Sequence, residues 1–167
     1  MTPIARLAAL VLSLATVASA QPVLAQNAGQ IAKVRKGASC PGCNLFQADL
    51  TGLTLRGLNL SGARLRQAEL STVVMNRTRF ARADLRDANA YGGVFSGASF
   101  AGADLTNASF VGTYLAGANF TGANLGGVNF SGAEMNRALG LTQAQLNRAC
   151  GDPATRLPRG LTLPGCR

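Results

Sequence analysis

Histidine and tryptophan are absent from this 167-residue chain, and charged residues make up only 14% of it. Without histidine the usual general base and the commonest metal ligand near neutral pH are missing. Histidine-based catalysis, His-ligated metals and covalent haem attachment at Cys40-Pro41-Gly42-Cys43 are therefore excluded. Aromatics are few, seven Phe and two Tyr, so there is little ring surface to interleave with nucleic acid bases. No Cys lies between Cys43 and Cys150, and no Lys or Arg between Arg86 and Arg137. No segment approaches the ~18 consecutive apolar residues of a membrane-spanning helix. Each Gly-containing stretch is too regular to join one strand to one helix, which removes phosphate-loop readings.

What is present is a period. From Leu45 to Met135 every fifth residue is large and apolar, with Ala90 alone breaking the run. Neither the 3.6-residue repeat of an α-helix nor the two-residue repeat of a flat strand keeps such a row on one face. A chain that turns a corner every five residues does. Two residues before each centre the side chain is usually Ala, as at Ala48, Ala63, Ala83, Ala103 and Ala123, so that position also points inward. Two residues after it Gly recurs, as at Gly52, Gly97 and Gly122, where the backbone bends or takes positive φ. The positions flanking the centre carry Asn, Asp, Ser, Thr and Arg and face water.

The runs Ala-Asp-Leu-Thr-Gly at 48–52, Ala-Asn-Phe-Thr-Gly at 118–122 and Ala-Asp-Leu-Thr-Asn at 103–107 resemble the repeats of the pentapeptide-repeat family. The resemblance covers 43–137 and implies an all-β solenoid, a right-handed quadrilateral β-helix with four pentapeptides per coil. Residues 20 apart would then stack, giving ladders such as Leu65, Leu85, Leu105, Leu125 and Phe80, Phe100, Phe120. Nearly five coils would stand about 23 Å tall at ~4.8 Å per coil. In its column Ala90 sits between Leu70 and Phe110, so either Phe110 leans into the space or a small void remains. Each coil buries its centres only against its neighbours, so both ends need covers.

Ahead of the array, Met1–Ala20 has one cation, Arg6, an uncharged apolar stretch from Leu7 to Val17 and an Ala18-Ser19-Ala20 cleavage pattern. This reads as a secretory signal peptide covering 1–20, or 1–25 if the cut follows Ala25, and it places the protein in the periplasm or outside the cell. Residues 26–42 form a leader and N-terminal cap, 43–137 the β-helix, and 138–167 a C-terminal cap. Within that cap Thr142-Gln143-Ala144-Gln145 fits a capping box and predicts a short helix near 143–149, before Pro153, Pro158 and Pro164 forbid regular structure. The tail also resembles those that follow some bacterial pentapeptide arrays.

Cys40, Cys43, Cys150 and Cys166 bracket the coils, an even count that reads as structural in an oxidising compartment. Three connectivities are formally open. A bond between the two clusters would have to cross the solenoid, whereas a disulfide needs Cα atoms within ~7 Å, so local pairing is expected. A Cys150–Cys166 bond would tie down the proline-rich end, worth about 3 kcal/mol in the loop-entropy model. Two other readings exist: Cys40 and Cys43 have the spacing of a thiol oxidoreductase, without its helix and βαβ context, and four thiolates at opposite ends would make a poor zinc site. Neither a metal nor a cofactor is expected, and paired carboxylates such as Asp49 with Glu69 or Asp84 with Asp104 would lie on flat faces rather than in a cleft.

Charge is unevenly placed. Arg56, Arg64, Arg66, Arg77, Arg79, Arg82 and Arg86 fall in one stretch, next to Lys33, Arg35 and Lys36. In the 20-residue register Arg66 stacks on Arg86, Arg64 on Asp84, and Arg82 takes the corner leading into that face. Stacked like charges are unfavourable unless an anion sits nearby. Either Asp84 and Asp87 satisfy the arginines internally, or Arg64, Arg66, Arg82 and Arg86 form a corner for the phosphate or carboxylate groups of an envelope polymer, lipid headgroup or acidic protein. The sequence thus points to a non-enzymatic, exported binding or structural module, with no nucleic-acid partner expected. Some pentapeptide-repeat proteins mimic DNA and bind gyrase through an acidic rod surface; this basic chain departs from that pattern.

Overall fold

The computed structural model describes residues 27–167; the signal-peptide assignment lies outside them. The chain from Cys40 onward winds into four-sided coils in which residues 20 apart pair as parallel bridges, from Asn44 with Arg64 to Asn119 with Leu139. Leu45 N–H donates to Arg64 O at 2.8 Å and Arg64 N–H to Cys43 O at 2.9 Å, a pattern repeated face by face. We call the faces first to fourth by their centres: Leu45, Leu50, Leu55 and Leu60.

Each corner is a tight turn closed from the centre's carbonyl to the next inward residue, as in Ala48 N–H to Leu45 O at 3.0 Å. Its third residue has positive φ at every corner from Gly42 to Gly132, as a type II turn demands. Gln47, Gln67, Thr72, Arg77, Arg82, Asp87 and Asn107 adopt this conformation without being Gly. The turn therefore overrides the side-chain penalty where the ladder on both sides is fixed.

The outward Asn and Asp residues do more than face water. In each pentapeptide the residue after the centre has an N–H that no ladder uses, and wherever Asn or Asp stands two residues earlier its side chain accepts it, as Asn44 does from Phe46, Asp49 from Thr51, Asn59 from Ser61, Asn89 from Tyr91 and Asn119 from Thr121. This is the Asx motif, and it explains why these two residue types dominate the position before the centre.

Every centre from Leu45 to Met135 is buried, including the Leu65, Leu85, Leu105 and Leu125 ladder. Phe80 stacks on Phe100 at 5.1 Å between centroids and Phe100 on Phe120 at 5.2 Å. Around Ala90 the vacant volume is taken up by ring packing. Phe95, one face further on in the same coil, folds over Gly93, where a Cβ would come within 2.6 Å of its ring. Phe110 then meets Phe95 at 5.8 Å and Phe100 at 5.6 Å. Two inward hydroxyls are buried with partners, Thr78 on Leu55 O and Thr113 on Phe110 O.

Both ends are covered. Helix α1, Ala28–Arg35, is capped by Asn27 and lays Val34, fully buried, and Ile31 on the first coil. Gln30 Oε1 accepts the Asn44 N–H and Arg35 donates to Asp49 O. The sequence reading gave this segment a covering role without a helix. At the other end α2, Gln143–Leu146, is shorter than the predicted 143–149 but carries the capping box between Thr142 and Gln145. Gln145 Nε2 also donates to Ala123 O, a carbonyl with no further coil to pair it, and to Phe120 O, which accepts from Ala123 within its turn. Beyond α2 the ladder continues irregularly, Asn129 with Cys150 and Glu134 with Arg156. Cys40 is bonded to Cys43 and Cys150 to Cys166, with Cα separations of 5.5 and 4.8 Å.

Candidate functional site

The ladder brings Arg64, Arg66 and Arg86 onto the first face and Arg82 to the corner before it, as the register requires. It does not leave them as one anion site. Arg86 grips Asp84 in a fork, Nε to Oδ1 at 2.8 Å and Nη2 to Oδ2 at 2.7 Å, and reaches Asp104 at 3.7 Å. Arg66 lies 3.6 Å from Asp87. Asp104 is further held by Thr106 and by Asn124 from the next coil. The hydrogen bonds from Arg86 hold the Asp84 carboxyl below its ordinary value of 3.8, and the same contacts push the Arg86 guanidinium up. Arg66 and Arg86 are thus internal partners of carboxylates, while Arg64 and Arg82 make no ion pair among the described residues.

The unpaired cations lie one step around the rod. Arg56 on the third face, Arg77 at the corner after it, Arg79 on the fourth face and Arg82 at the next corner have no carboxylate within ion-pair distance among the described residues. The fourth face carries no Asp or Glu, and the third only Glu134, four coils along from Arg56. Arg77 and Arg82 lie flat because the next coil has Gly at each corner: their Cγ atoms sit 3.6 and 3.5 Å from where a Cβ of Gly97 or Gly102 would be. Arg56, Gly57, Asn76, Arg77 and Ser96 line an open hollow of about 410 Å³. A second hollow, lined by Ser61, Gly62, Ala81 and Arg82, opens on the fourth face. A guanidinium cluster of this kind, solvent-facing and free of internal partners, is built to take carboxylate or phosphate oxygens.

Arg56, Arg77 and Arg79 belong to the basic stretch of the sequence, but the stacking of like charges within it singles out the first face instead. The usable signal was the opposite one, the column and corner positions that have no acid within one coil.

Elsewhere the chemistry is quiet. Cys40 and Cys43 are both buried and sit in the turn that opens the first coil, away from any helix start. Asp49, held low by the Thr51 N–H, and Asp152, held low by the Gly132 N–H, are committed to backbone donors. Among the described residues no group of His, Cys, Asp or Glu is arranged to hold a metal ion, and no helix is long and apolar enough to cross a membrane.

A four-sided coil of pentapeptides closed by short caps defines the class, and comparison with known families agrees. The pentapeptide-repeat model matches in 8 copies over residues 43–80, 78–115, 98–137 and 113–150. The chain belongs to the pentapeptide-repeat family, whose fold is the right-handed β-helix; no enzymatic family is indicated. No curated protein matches it. Among solved structures it is similar to a trypsin-treated variant of QnrB1, a plasmid-mediated fluoroquinolone resistance protein, at 22% identity over 78% of this chain and 80% of that one, with a TM-score of 0.50. It is also similar to the pentapeptide repeat protein Rfr23 of the cyanobacterium Cyanothece 51142, at 21% identity over 77% and 97% of the two chains and a TM-score of 0.41. At 22% identity the likeness to QnrB1 is one of fold.

Proposed function

We propose that this protein is an exported, non-enzymatic rod that binds an anionic partner in the cell envelope through the carboxylate-free arginines of its N-terminal coils. The observation that carries the reading is the division among the arginines: Arg66 and Arg86 are neutralised by Asp87, Asp84 and Asp104, while Arg56, Arg77, Arg79 and Arg82 are not. Holding such a group of cations together repels itself, and the cost is recovered only when an anion is bound. Export rests on the leader Met1–Ala20, and N-terminal sequencing of the protein from the envelope fraction, showing a start after Ala20 or Ala25, checks it. A gyrase-binding DNA mimic would need an acidic rod surface, and this belt has the opposite sign.

The binding reading is tested by retention on immobilised polyglutamate under a salt gradient. Arg77→Ala with Arg79→Ala and Arg82→Ala should elute at clearly lower salt than the unaltered protein, whereas Arg66→Ala with Arg86→Ala should change retention far less and lower the melting temperature instead. If the triple substitution elutes unchanged, the belt does not bind anions.

A further inference from the structure

The third face differs from the other three in what it shows to water. Its column before the centres reads Thr54, Val74, Val94, Tyr114 and Glu134, with Val74, Val94 and Tyr114 paired rung to rung. The matching columns on the other faces carry Asn, Asp, Glu, Arg and Ser from coil to coil, with Leu139 at the end of the fourth-face column the one exception. Tyr114 is 43% exposed and Tyr91, across the corner from Val94, is 57% exposed. Val111 stands one coil beyond Tyr91 in the same column, so the register places the five side chains side by side across this corner. Neither tyrosine hydroxyl bonds to another described residue. Exposed tyrosines beside a row of half-buried valines are the composition of a protein interface rather than of a solvated wall.

The backbone of this face is open as well. The Asx bonds that satisfy the N–H after the centre occur four times on the first face, three times on the second and twice on the fourth. On the third face there are none, since Thr, Val, Val, Tyr and Glu replace the Asn and Asp. The N–H groups of Arg56, Asn76, Ala116 and Asn136 therefore bond to no described residue, against one such group on the first face and two each on the second and fourth, and only Ser96 finds an acceptor, Asn76 Oδ1. The Arg56–Arg77 hollow, lined as far as Ser96, runs on the same face beside the coils of Val74 and Val94, and Tyr114 stands one coil beyond it.

We infer that the third face, with the corner to Tyr91, docks an extended segment of a partner protein: acidic side chains seat in the Arg56–Arg77 hollow and apolar ones lie on Val74, Val94, Tyr114, Tyr91 and Val111. The inference rests on the reading above that the partner is anionic, and it adds what kind of anion. A uniformly charged polymer would leave the tyrosines and valines in water and would meet Glu134 at the far end; a segment acidic at one end and apolar at the other fits both. The coil ladder is already paired, so docking proceeds through side chains and the open N–H groups rather than by adding a strand. Val74 to Tyr114 spans two coil spacings, about 10 Å, the reach of three extended residues.

The test uses the whole mature-length protein and two probes, a short synthetic peptide with an acidic half and an aromatic–aliphatic half, and polyglutamate of equal charge. The mixed peptide should bind more tightly. Tyr91→Ser with Tyr114→Ser should weaken it about tenfold or more while leaving polyglutamate retention and the melting temperature unchanged. Arg56→Ala with Arg77→Ala should weaken both probes. If polyglutamate binds but the mixed peptide gains nothing and ignores the tyrosines, the docking face is wrong and the anion-binding reading stands. If neither probe binds, both fall. Tyrosine-dependent binding of a polyuronate in preference to the peptide would replace the protein partner with an acidic glycan.

Discussion

At residue scale the stability of this rod depends on polar side chains that composition alone marks as solvated. Asn119 accepts from both the N–H and the hydroxyl of Thr121, at 2.9 and 2.7 Å. Asn119→Ala should cost roughly 0.5–1.5 kcal/mol, read as a melting temperature lower by a few degrees. Thr72 is β-branched yet sits at φ 54°. Thr72→Gly should stabilise by up to about 1 kcal/mol, because relief of the left-handed strain exceeds the added freedom of the unfolded chain. The carboxylates set the acid limit. Asp49, Asp84 and Asp152 all have folded values below the ordinary 3.8. Their contribution is complete above the unfolded value and is lost as pH falls through the folded ones. Melting temperature should therefore hold from neutrality to about pH 4 and drop below it, less steeply in Asp84→Asn.

At the scale of the element, the five-residue period made the centres and inward Ala positions legible, because burial tolerates few residue types there. The corners were legible where Gly stands and hidden at Arg77, Arg82 or Thr72, because the ladder imposes a backbone angle that those side chains do not announce. Helix α1 leaves no period in the sequence for a related reason: Val34 is its one buried residue and Ile31 is half-buried, too few to set a repeat. The aromatic interior makes a sharp test of packing. Phe100 stacks on both Phe80 and Phe120 and meets Phe95 and Phe110, so Phe100→Ala should cost about 3–5 kcal/mol. Gly93→Ala should destabilise by about 1–3 kcal/mol, since the Phe95 ring has nowhere to go. Chemical denaturation midpoints of the two variants check both values.

For the whole molecule, the coil ladder turns a linear sequence into four columns of side chains, and the proposed binding follows from which columns are left unsatisfied. The basic stretch from Arg56 to Arg86 was plain in the sequence, but its division into paired and unpaired halves was not. That division depends on side-chain reach: Arg86 folds onto Asp84 two residues away, whereas Arg77 and Arg82 have only glycine beside them in the next coil. The same holds for the third face, whose valines and Tyr114 look unremarkable singly and become a patch only when stacked.

An amide-resolved NMR titration with polyglutamate at low salt tests the central claim most directly. We expect shifts confined to Arg56, Asn76, Arg77, Arg79 and Arg82 and their ladder neighbours on the third and fourth faces, vanishing as salt is raised. Shifts centred on Arg66 and Arg86, or spread evenly around the rod, would contradict it.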